Sequence, residues 1–154
     1  MNNTPQVKAP WLKSKDPEVP AALTYSELSM CGRVEEMVRR YPDYIAYEFM
    51  GKCTTYAEMW KKINACAKSL KAIGIREGDK VTICMPNAPQ TLCMFYAVNM
   101  VGAIANMVHP LSAESEIAFY LRDSGSVAAI TLDQFYNKFE SVRKAVDLPC
   151  LIIT

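Results

Sequence analysis

The chain has 154 residues with a formal net charge of +1, and 51% of its residues are hydrophobic. A chain of this length and composition can bury a full hydrophobic core as a single domain. Its lysines and arginines are scattered among acidic residues, so we predict no nucleic-acid-binding surface. The first residues form no continuous apolar segment, so we expect no secretion signal and a cytoplasmic location.

Six cysteines are present, and none of them stands in a CxxC pair. Four of them lie within apolar patterns: Cys66, Cys84, Cys93 and Cys150. This pattern predicts reduced core residues of a cytosolic protein, and it makes a disulfide framework or a zinc site the weaker alternative. We therefore expect no metal-ligating residue in this chain.

The first 24 residues hold four of the nine prolines and show little periodicity. This composition predicts an extended arm over residues 1–24, followed by one α/β domain over residues 25–154. Trp11 and Leu12 are the apolar side chains through which we expect the arm to dock on the domain.

A helix and a hairpin are predicted next. Apolar residues at helical spacing indicate a helix over residues 27–40, which Pro42 stops because proline cannot continue a helix. Residues 45–50 and 53–54 have the pattern of two short antiparallel strands. The turn between them is predicted at residues 51–52, because glycine at the first turn position suits a type II′ turn.

The sequence from Thr55 onward predicts the best-defined helix of the chain. Thr55 and Glu58 have the spacing of a capping box, in which each side chain accepts a hydrogen bond from the other residue's backbone. Gly74 is placed to end the helix in a left-handed conformation. Apolar residues form one stripe along this helix: Tyr56, Met59, Trp60, Ile63, Ala67 and Leu70.

Residues 81–113 contain no Asp, Glu, Lys or Arg, although charged residues make up 21% of the chain. Either a membrane helix or a buried strand, helix and strand unit could produce such a stretch. A membrane helix needs about 20 mostly apolar residues in one piece, and Pro86, Pro89, Asn99 and Asn106 interrupt this one. We therefore predict the middle of a parallel sheet that is covered on both faces.

The interruptions divide the charge-free stretch into two strands joined by a helix. The first strand is predicted over residues 81–85, and Asn87 is placed to cap a helix with Pro89 in its first turn. Gly102 ends that helix, and the second strand follows over residues 103–108. Two strands joined by a crossover helix run parallel.

Strands and helices continue to alternate to the end of the chain. Ser112 is predicted to cap a helix that Gly125 ends, and a strand follows over residues 127–131. Asp133 is predicted to cap the next helix, and residues 148–154 begin another strand. This alternation predicts an α/β fold with a mostly parallel, doubly wound sheet, helices on both faces and a small β-hairpin near the N-terminus.

A sheet of this kind binds ligands just beyond the carboxyl ends of its strands. Three polar residues follow predicted strand ends, namely Asn87, His109 and Asp133. Asn87 and Asp133 also fit as helix caps, and a single histidine before a proline is commonly a hydrogen-bonded turn residue. Asn87 and His109 are the candidate substrate-binding residues.

Motifs that mark a catalytic centre are absent from the sequence. There is no GxGxxG and no GxxxxGK[ST], and residues 74–80 have too few glycines to cradle a phosphate. The single histidine lies in no motif that marks a nucleophile, so no Ser-His-Asp or Cys-His set can be assembled. We therefore name no catalytic and no cofactor-binding residue.

Several short segments resemble, in order and spacing, the start of the AMP-forming acyl-CoA synthetases and their adenylating relatives. The segments are 41–46 (YPDYIA), 54–59 (TTYAEM), 74–81 (GIREGDKV), 86–90 (PNAPQ), 102–104 (GAI), 109–111 (HPL) and 123–125 (DSG). Each segment is weak alone, but together they span residues 41–131 in register. In that family Thr55, Tyr56 and Gly102 would be structural positions.

The resemblance implies a longer parent enzyme that activates a carboxylic acid with ATP and Mg²⁺, releases pyrophosphate, and passes the acyl group to coenzyme A. Residues 86–90 and 109–111 resemble the fatty-acid-activating branch more than the amino-acid-activating one. The family's phosphate loop, adenine and ribose contacts, hinge and C-terminal lysine would all lie downstream of position 154. The chain alone is therefore expected to be inactive and to hold no cofactor.

Two interpretations of the chain follow. The first is an N-terminal fragment of an AMP-forming acyl-CoA ligase, which the apolar run at residues 151–153 favours because it stops inside a predicted core strand. The second is a free-standing α/β module that binds a ligand or a partner without catalysis. A fragment would expose an edge strand, so we expect self-association through the C-terminal strand.

Overall fold

The computed structural model describes residues 9–20, 22–23 and 25–154. Over these residues the chain forms five α-helices and six β-strands. In chain order they are α1 (Met30–Arg40), β1 (Ile45–Phe49), β2 (Lys52–Thr55), α2 (Tyr56–Ala72), β3 (Lys80–Cys84), α3 (Pro89–Val101), β4 (Ile104–Met107), α4 (Glu114–Ser124), β5 (Ala128–Thr131), α5 (Tyr136–Ala145) and β6 (Cys150–Ile153). The strands lie where the sequence predicts them, with ends that differ by at most two residues.

Four strands form one parallel sheet with the order β4-β3-β5-β6. Helices α2 and α3 cover one face and α4 and α5 cover the other, so a hydrophobic cluster lies on each side of the sheet. Helix α1 packs against α2 and α3, and β1 and β2 form a separate antiparallel hairpin. The predicted α/β fold, the doubly wound parallel sheet and the hairpin are confirmed.

Strand β3 lies between β4 and β5 and is buried on both faces. Val81, Thr82 and Ile83 are each 0% exposed. Val81 and Ile83 belong to the cluster under α2 and α3, whereas Cys84 belongs to the cluster under α4 and α5. A charged side chain on either face of β3 would be buried without a partner, which explains why the strand carries no charge after Lys80.

Among the described helices, none combines the length and the hydropathy that a membrane crossing requires. The apolar residues of the charge-free stretch instead supply much of the core beside β3. The predicted strand, helix and strand unit is confirmed by β3, α3 and β4.

A polar cluster lies beside β3, and the sequence did not reveal it. We call it the Thr82 cluster, and it consists of Thr82, Asn106, Ser124 and Ser126. The Thr82 hydroxyl lies 2.7 Å from Ser126 Oγ and accepts a hydrogen bond from Asn106 Nδ2 at 2.9 Å. Asn106 Nδ2 also donates to Ser124 Oγ at 3.2 Å, and the two serine hydroxyls lie 2.8 Å apart. Within the described residues no buried side-chain polar atom lacks a partner, so the cluster is satisfied.

The described part of the N-terminal arm does not pack as predicted. Residues 1–8 lie outside the described residues, and Pro10–Ser14 forms a short 3-10 turn. Trp11 is 65% exposed and Leu12 is 42% exposed. The predicted docking of these two side chains is wrong, because the turn buries none of its residues.

Helix α1 begins later than the apolar spacing predicts. Ser29 is its N-cap, and the Ser29 hydroxyl accepts a hydrogen bond from Gly32 N at 3.1 Å. Cys31 N donates to Asn99 Oδ1 of α3 at 2.9 Å. The start of the helix is therefore set by a serine cap and by a contact from a distant helix, and apolar spacing reports neither.

The hairpin turn differs from the predicted one. Phe49 pairs with Lys52, so the two turn residues are Met50 and Gly51. Both have positive φ, +50° and +78°, which is the pattern of a type I′ turn rather than type II′. The predicted turn at residues 51–52 is wrong, because the twist that a two-residue I′ turn gives the strands outweighs the cost of a left-handed methionine.

The capping box of α2 is confirmed. Glu58 N donates to Thr55 Oγ1 at 3.2 Å, and Thr55 N donates to Glu58 Oε2 at 2.9 Å. Gly74 follows the helix end with a φ of +95°, which confirms the predicted left-handed stop. Four residues of the predicted apolar stripe are buried, and Tyr56 and Trp60 are half-buried against the same cluster.

The prediction that Asn87 caps α3 is wrong. The N-cap is Ala88, which makes no side-chain hydrogen bond, and Pro89 is the first helical residue. Proline suits this position because its φ is already helical and its missing N–H has no partner there. The helix therefore begins one residue later than a cap at Asn87 would require. In the loop before it, the Thr91 hydroxyl donates a hydrogen bond to Pro86 O at 2.6 Å.

Ser112 and Asp133 are not helix caps either. Ala113 is the N-cap of α4, and its backbone N donates to Glu116 Oε2 at 3.1 Å. Asp133 begins a 3-10 turn before α5, and its Oδ1 accepts a hydrogen bond from Gln134 N at 2.7 Å. In both loops the residue of capping type lies before the residue that caps the helix, which is Ala113 for α4 and Phe135 for α5.

The capping box generates a stability prediction. Thr55→Ala should lower the free energy of unfolding by about 1 kcal/mol, because the Glu58 backbone N–H loses its acceptor at the helix start. Lys68→Ala, on the exposed face of the same helix, should change it by less than about 0.5 kcal/mol. Chemical denaturation of both variants measures the difference, and equal midpoints would contradict the assigned helix start.

Candidate functional site

The candidate site lies where the parallel strands end. Strands β3, β4 and β5 run in the same direction, so their carboxyl ends meet at one edge of the sheet. The loops that follow carry Asn87, His109 and Asp133. In α/β sheets this edge is where ligands bind.

A cleft of about 420 Å³ opens at this edge, and we call it the strand-end cleft. Asn87 and His109 both line it, so the structure brings the two candidate substrate-binding residues to one site. Asp133 does not line it, because its carboxylate turns back to the backbone of the next residue. Gln134 lines the cleft instead, and no sequence pattern had marked it.

His109 is an exposed residue whose ring is oriented by its own turn. Its Nδ1 accepts a hydrogen bond from Leu111 N at 3.3 Å, and its carbonyl oxygen accepts one from Ser112 N at 3.1 Å. Because Nδ1 is the acceptor, the neutral ring carries its proton on Nε2. Nε2–H is therefore the group that His109 can offer to a ligand.

Lys138 of α5 holds the turn that carries His109. Its Nζ donates to Pro110 O at 2.9 Å and to Ser112 O at 3.0 Å, and the side chain is half-buried. The ammonium also lies 6.0 Å from the centre of the Phe135 ring, which lines the strand-end cleft. A charged donor that bridges two carbonyl oxygens restricts the loop, because each of its charge-assisted hydrogen bonds is stronger than a neutral one.

One hydroxyl group joins two neighbouring strand ends. Thr131 Oγ1 donates to Cys84 O at 2.9 Å and joins the ends of β5 and β3.

Burial raises the pKa of the Cys84 thiol to about 11, and the charge of Lys138 opposes that rise. Cys84 is therefore a protonated core residue beneath the cleft, and its thiol is not a nucleophile at neutral pH.

The strand-end cleft offers hydrogen bonds but little charge. Among the described residues that line it, none is Asp, Glu, Lys or Arg. The described part of the chain also contains no group of three His, Cys, Asp or Glu side chains that could hold a metal ion. This lining suits an apolar or neutral group that accepts hydrogen bonds from an amide and an imidazole.

Comparison with known proteins finds long-chain-fatty-acid–CoA ligases among the relatives of this chain. The chain is 29% identical over 149 residues to a long-chain-fatty-acid–CoA ligase of Bacillus subtilis, a match that covers 97% of this chain and 27% of that protein. It is 37% identical over 95 residues to the long-chain-fatty-acid–CoA ligase FadD13 of Mycobacterium tuberculosis, covering 62% of this chain and 19% of that protein. The chain thus spans roughly a quarter of the relatives that it matches.

A solved structure matches the fold as well as the sequence. The inhibitor-bound N-terminal domain of FACL13 from Mycobacterium tuberculosis aligns with a TM-score of 0.74 and 30% identity over 79% of this chain and 32% of that one. The family described as AMP-binding enzyme matches residues 34–153, which include every strand and most of α1. The family resemblance predicted from the short segments is confirmed, and the chain belongs to the AMP-binding enzyme family.

Proposed function

We propose that this chain is the N-terminal part of an AMP-forming ligase that joins a long-chain fatty acid to coenzyme A. In the first step the carboxylate attacks ATP, giving an acyl-adenylate and pyrophosphate. In the second step the thiol of coenzyme A displaces AMP. The observation that carries the proposal is the family match over residues 34–153, together with the fatty-acid–CoA ligases among the relatives.

The described residues do not fit ATP or Mg²⁺ by themselves. A bound triphosphate needs a nest of backbone N–H groups, a lysine, or a metal held by carboxylates. The strand-end cleft is lined by no described lysine or carboxylate. We therefore assign the contacts to ATP, Mg²⁺ and coenzyme A to the part of the longer protein that this chain does not include.

Asn87 and His109 are proposed to contact the acid substrate. Both line the strand-end cleft, where the Asn87 amide and His109 Nε2–H are hydrogen-bond donors. The carbonyl oxygen of the acyl group is a neutral acceptor that such donors recognise. Lys138 would affect substrate binding only by holding the loop in place. It donates hydrogen bonds to the carbonyl oxygens of Pro110 and Ser112 and does not line the cleft.

We also propose a cytoplasmic location and self-association of the isolated chain. All six cysteines are free thiols, which suits a reducing compartment. Strand β6 is an edge of the sheet in the described chain, and three of its four residues are half-buried while Ile153 is exposed. An edge strand of this kind offers unpaired backbone groups to a second copy.

The first prediction of this proposal compares the activity of the 154-residue chain with that of the longer protein. The 154-residue chain alone should release no pyrophosphate above background with palmitate, benzoate or acetate, and calorimetry should find no saturable binding at micromolar ATP. The protein encoded by the full reading frame should release pyrophosphate with palmitate and Mg²⁺-ATP. Activity of the short chain would contradict our assignment of the ATP contacts. A folded longer protein without activity would favour the non-catalytic binding module instead.

The second prediction concerns the β6 edge. Sedimentation of the chain should show dimers or larger species whose fraction rises with concentration. Ile153→Lys should shift the distribution toward the monomer, because a lysine on an edge strand opposes pairing with another copy. Ile73→Lys is the matched control, since Ile73 is 52% exposed but lies at the end of α2. A 17.3 kDa monomer at every concentration would contradict the proposal.

The third prediction concerns the loop of the strand-end cleft. Lys138→Met should release the Pro110 and Ser112 carbonyl oxygens, so the nitrogen signals of the His109 ring should shift and broaden. Lys138→Arg should preserve them, and Lys144→Met, on the exposed side of α5, should leave them unchanged. Long-range ¹H–¹⁵N spectra are unambiguous because the chain has one histidine. Identical His109 signals in Lys138→Met and the unmodified chain would refute the role of Lys138.

A further inference from the structure

A second cleft, of about 440 Å³, lies between the hairpin and helices α2 and α3, and we call it the hairpin cleft. Both hairpin strands and both helices contribute side chains to its lining. Among the residues that the structure describes, it shares no lining residue with the strand-end cleft. The hairpin cleft is therefore a separate site.

Part of the hairpin cleft is apolar. Cys93 of α3 lines it, is 4% exposed and belongs to the hydrophobic cluster under α2 and α3. Tyr47 of β1, Cys66 of α2 and Met94 of α3 also line it, and they are half-buried against the same cluster. Phe49 of β1 adds a second aromatic ring, which is 40% exposed. These side chains offer a ligand an apolar surface that is continuous with the core.

The charged side chains of the hairpin cleft are positive. Lys52 of β2 and Lys62 of α2 line it, and none of the described side chains that line it is acidic. The described part of the chain forms two ion pairs, and neither includes Lys52 or Lys62. Neither ammonium group pairs with the terminal carboxylate of Thr154, which also lines the cleft. Both cations are available to an anionic ligand.

Lys62 is directed toward the hairpin cleft. The one acidic residue of α2 is Glu58, at the four-residue spacing from Lys62 that commonly gives an ion pair. Glu58 Oε2 instead accepts a hydrogen bond from Thr55 N at 2.9 Å, in the capping box. The Lys62 ammonium donates to the Tyr47 hydroxyl of β1 at 3.4 Å. Its charge therefore lies against the hairpin, beside the apolar surface.

The apolar surface and the two cations together indicate the class of ligand. A small inorganic anion would leave the apolar surface exposed to water, and a neutral apolar molecule would leave both ammonium groups without a counter-charge. A carboxylate with an apolar tail satisfies both requirements. Exposed ion pairs contribute little alone, so burial of the tail supplies most of the affinity and the lysines orient the carboxylate.

We propose that the hairpin cleft binds a fatty carboxylate, at a site separate from the strand-end cleft. The carboxylate accepts charge-assisted hydrogen bonds from the Lys52 and Lys62 ammonium groups. The tail packs against Tyr47, Phe49 and Met94, and the unbranched methionine side chain can adapt its shape to the tail. No covalent bond forms or breaks, and the site does not depend on the proposed ligase activity.

The test uses the 154-residue chain with ¹³C-labelled methionine methyl groups, titrated with decanoate below its micelle concentration. The Met94 methyl signal, assigned with Met94→Leu, should shift and saturate. The nitrogen signals of the His109 ring report on the strand-end cleft separately. Decanol has a similar tail and no charge, so its Kd at Met94 should be at least about threefold higher, in keeping with the loss of exposed ion pairs.

Lys52→Met and Lys62→Met should each raise the Kd for decanoate at Met94 about threefold, because each removes one charge and keeps an unbranched side chain. The Kd for decanol should not change, and this also verifies that the cleft remains formed. Lys68→Met is the matched control and should alter neither constant, since Lys68 is exposed on the same helix and does not line the cleft.

A Met94 signal that stays in place, with or without a shift at His109, would overturn the proposal. Equal constants for decanoate and decanol would do the same, as would equal decanoate constants in Lys62→Met and Lys68→Met. Weaker decanol binding in Lys62→Met would mean that the lysine shapes the cleft rather than orients a carboxylate. The ligase proposal is tested by pyrophosphate release from the longer protein, so either proposal can fail alone.

Discussion

Strand β3 is paired on both edges and covered on both faces, so every polar group that it carries must be satisfied inside the protein. This requirement explains why the residues of β3 after Lys80 are all uncharged. It also explains why the Thr82 hydroxyl has partners from β4 and from the loop before β5. The carboxyl end of the same strand leads into the strand-end cleft, so the strand that organises the core also brings Asn87 to the same site as His109.

Some features that depend on neighbouring residues could be predicted from the sequence, whereas contacts between distant residues could not. The capping box of Thr55 and Glu58 and the left-handed stop at Gly74 each depend only on residues at one helix end, and both are confirmed. The α/β order follows from periodicity in the same way. Asn87 failed as a cap because the helix start depends on Pro89 and on the loop before it. The start of α1 depends on Asn99, which lies in another helix.

The candidate site also contains some residues that the sequence indicates and others that it does not. Asn87 and His109 could be named from the sequence because both follow strands, and parallel strands bring their carboxyl ends to one edge. Lys138 could not be named, since its acceptors are carbonyl oxygens 28 and 26 residues away along the chain. The cleft that Cys66 and Cys93 both line could not be named either, because both cysteines fit the pattern of core residues and only the packing of α2 on α3 brings them to one cavity.

The Thr82 cluster also restricts how β3 and β4 can pair. Thr82 lies directly opposite Asn106 in the parallel ladder. Because side chains alternate between the faces of a sheet, a slip of one residue would move Asn106 to the opposite face. The hydroxyl groups left behind would be buried with fewer partners, at a cost of about 1–3 kcal/mol for each unsatisfied group. A nearly uniform apolar strand would tolerate several alignments, and this small polar cluster selects one of them as the sheet assembles.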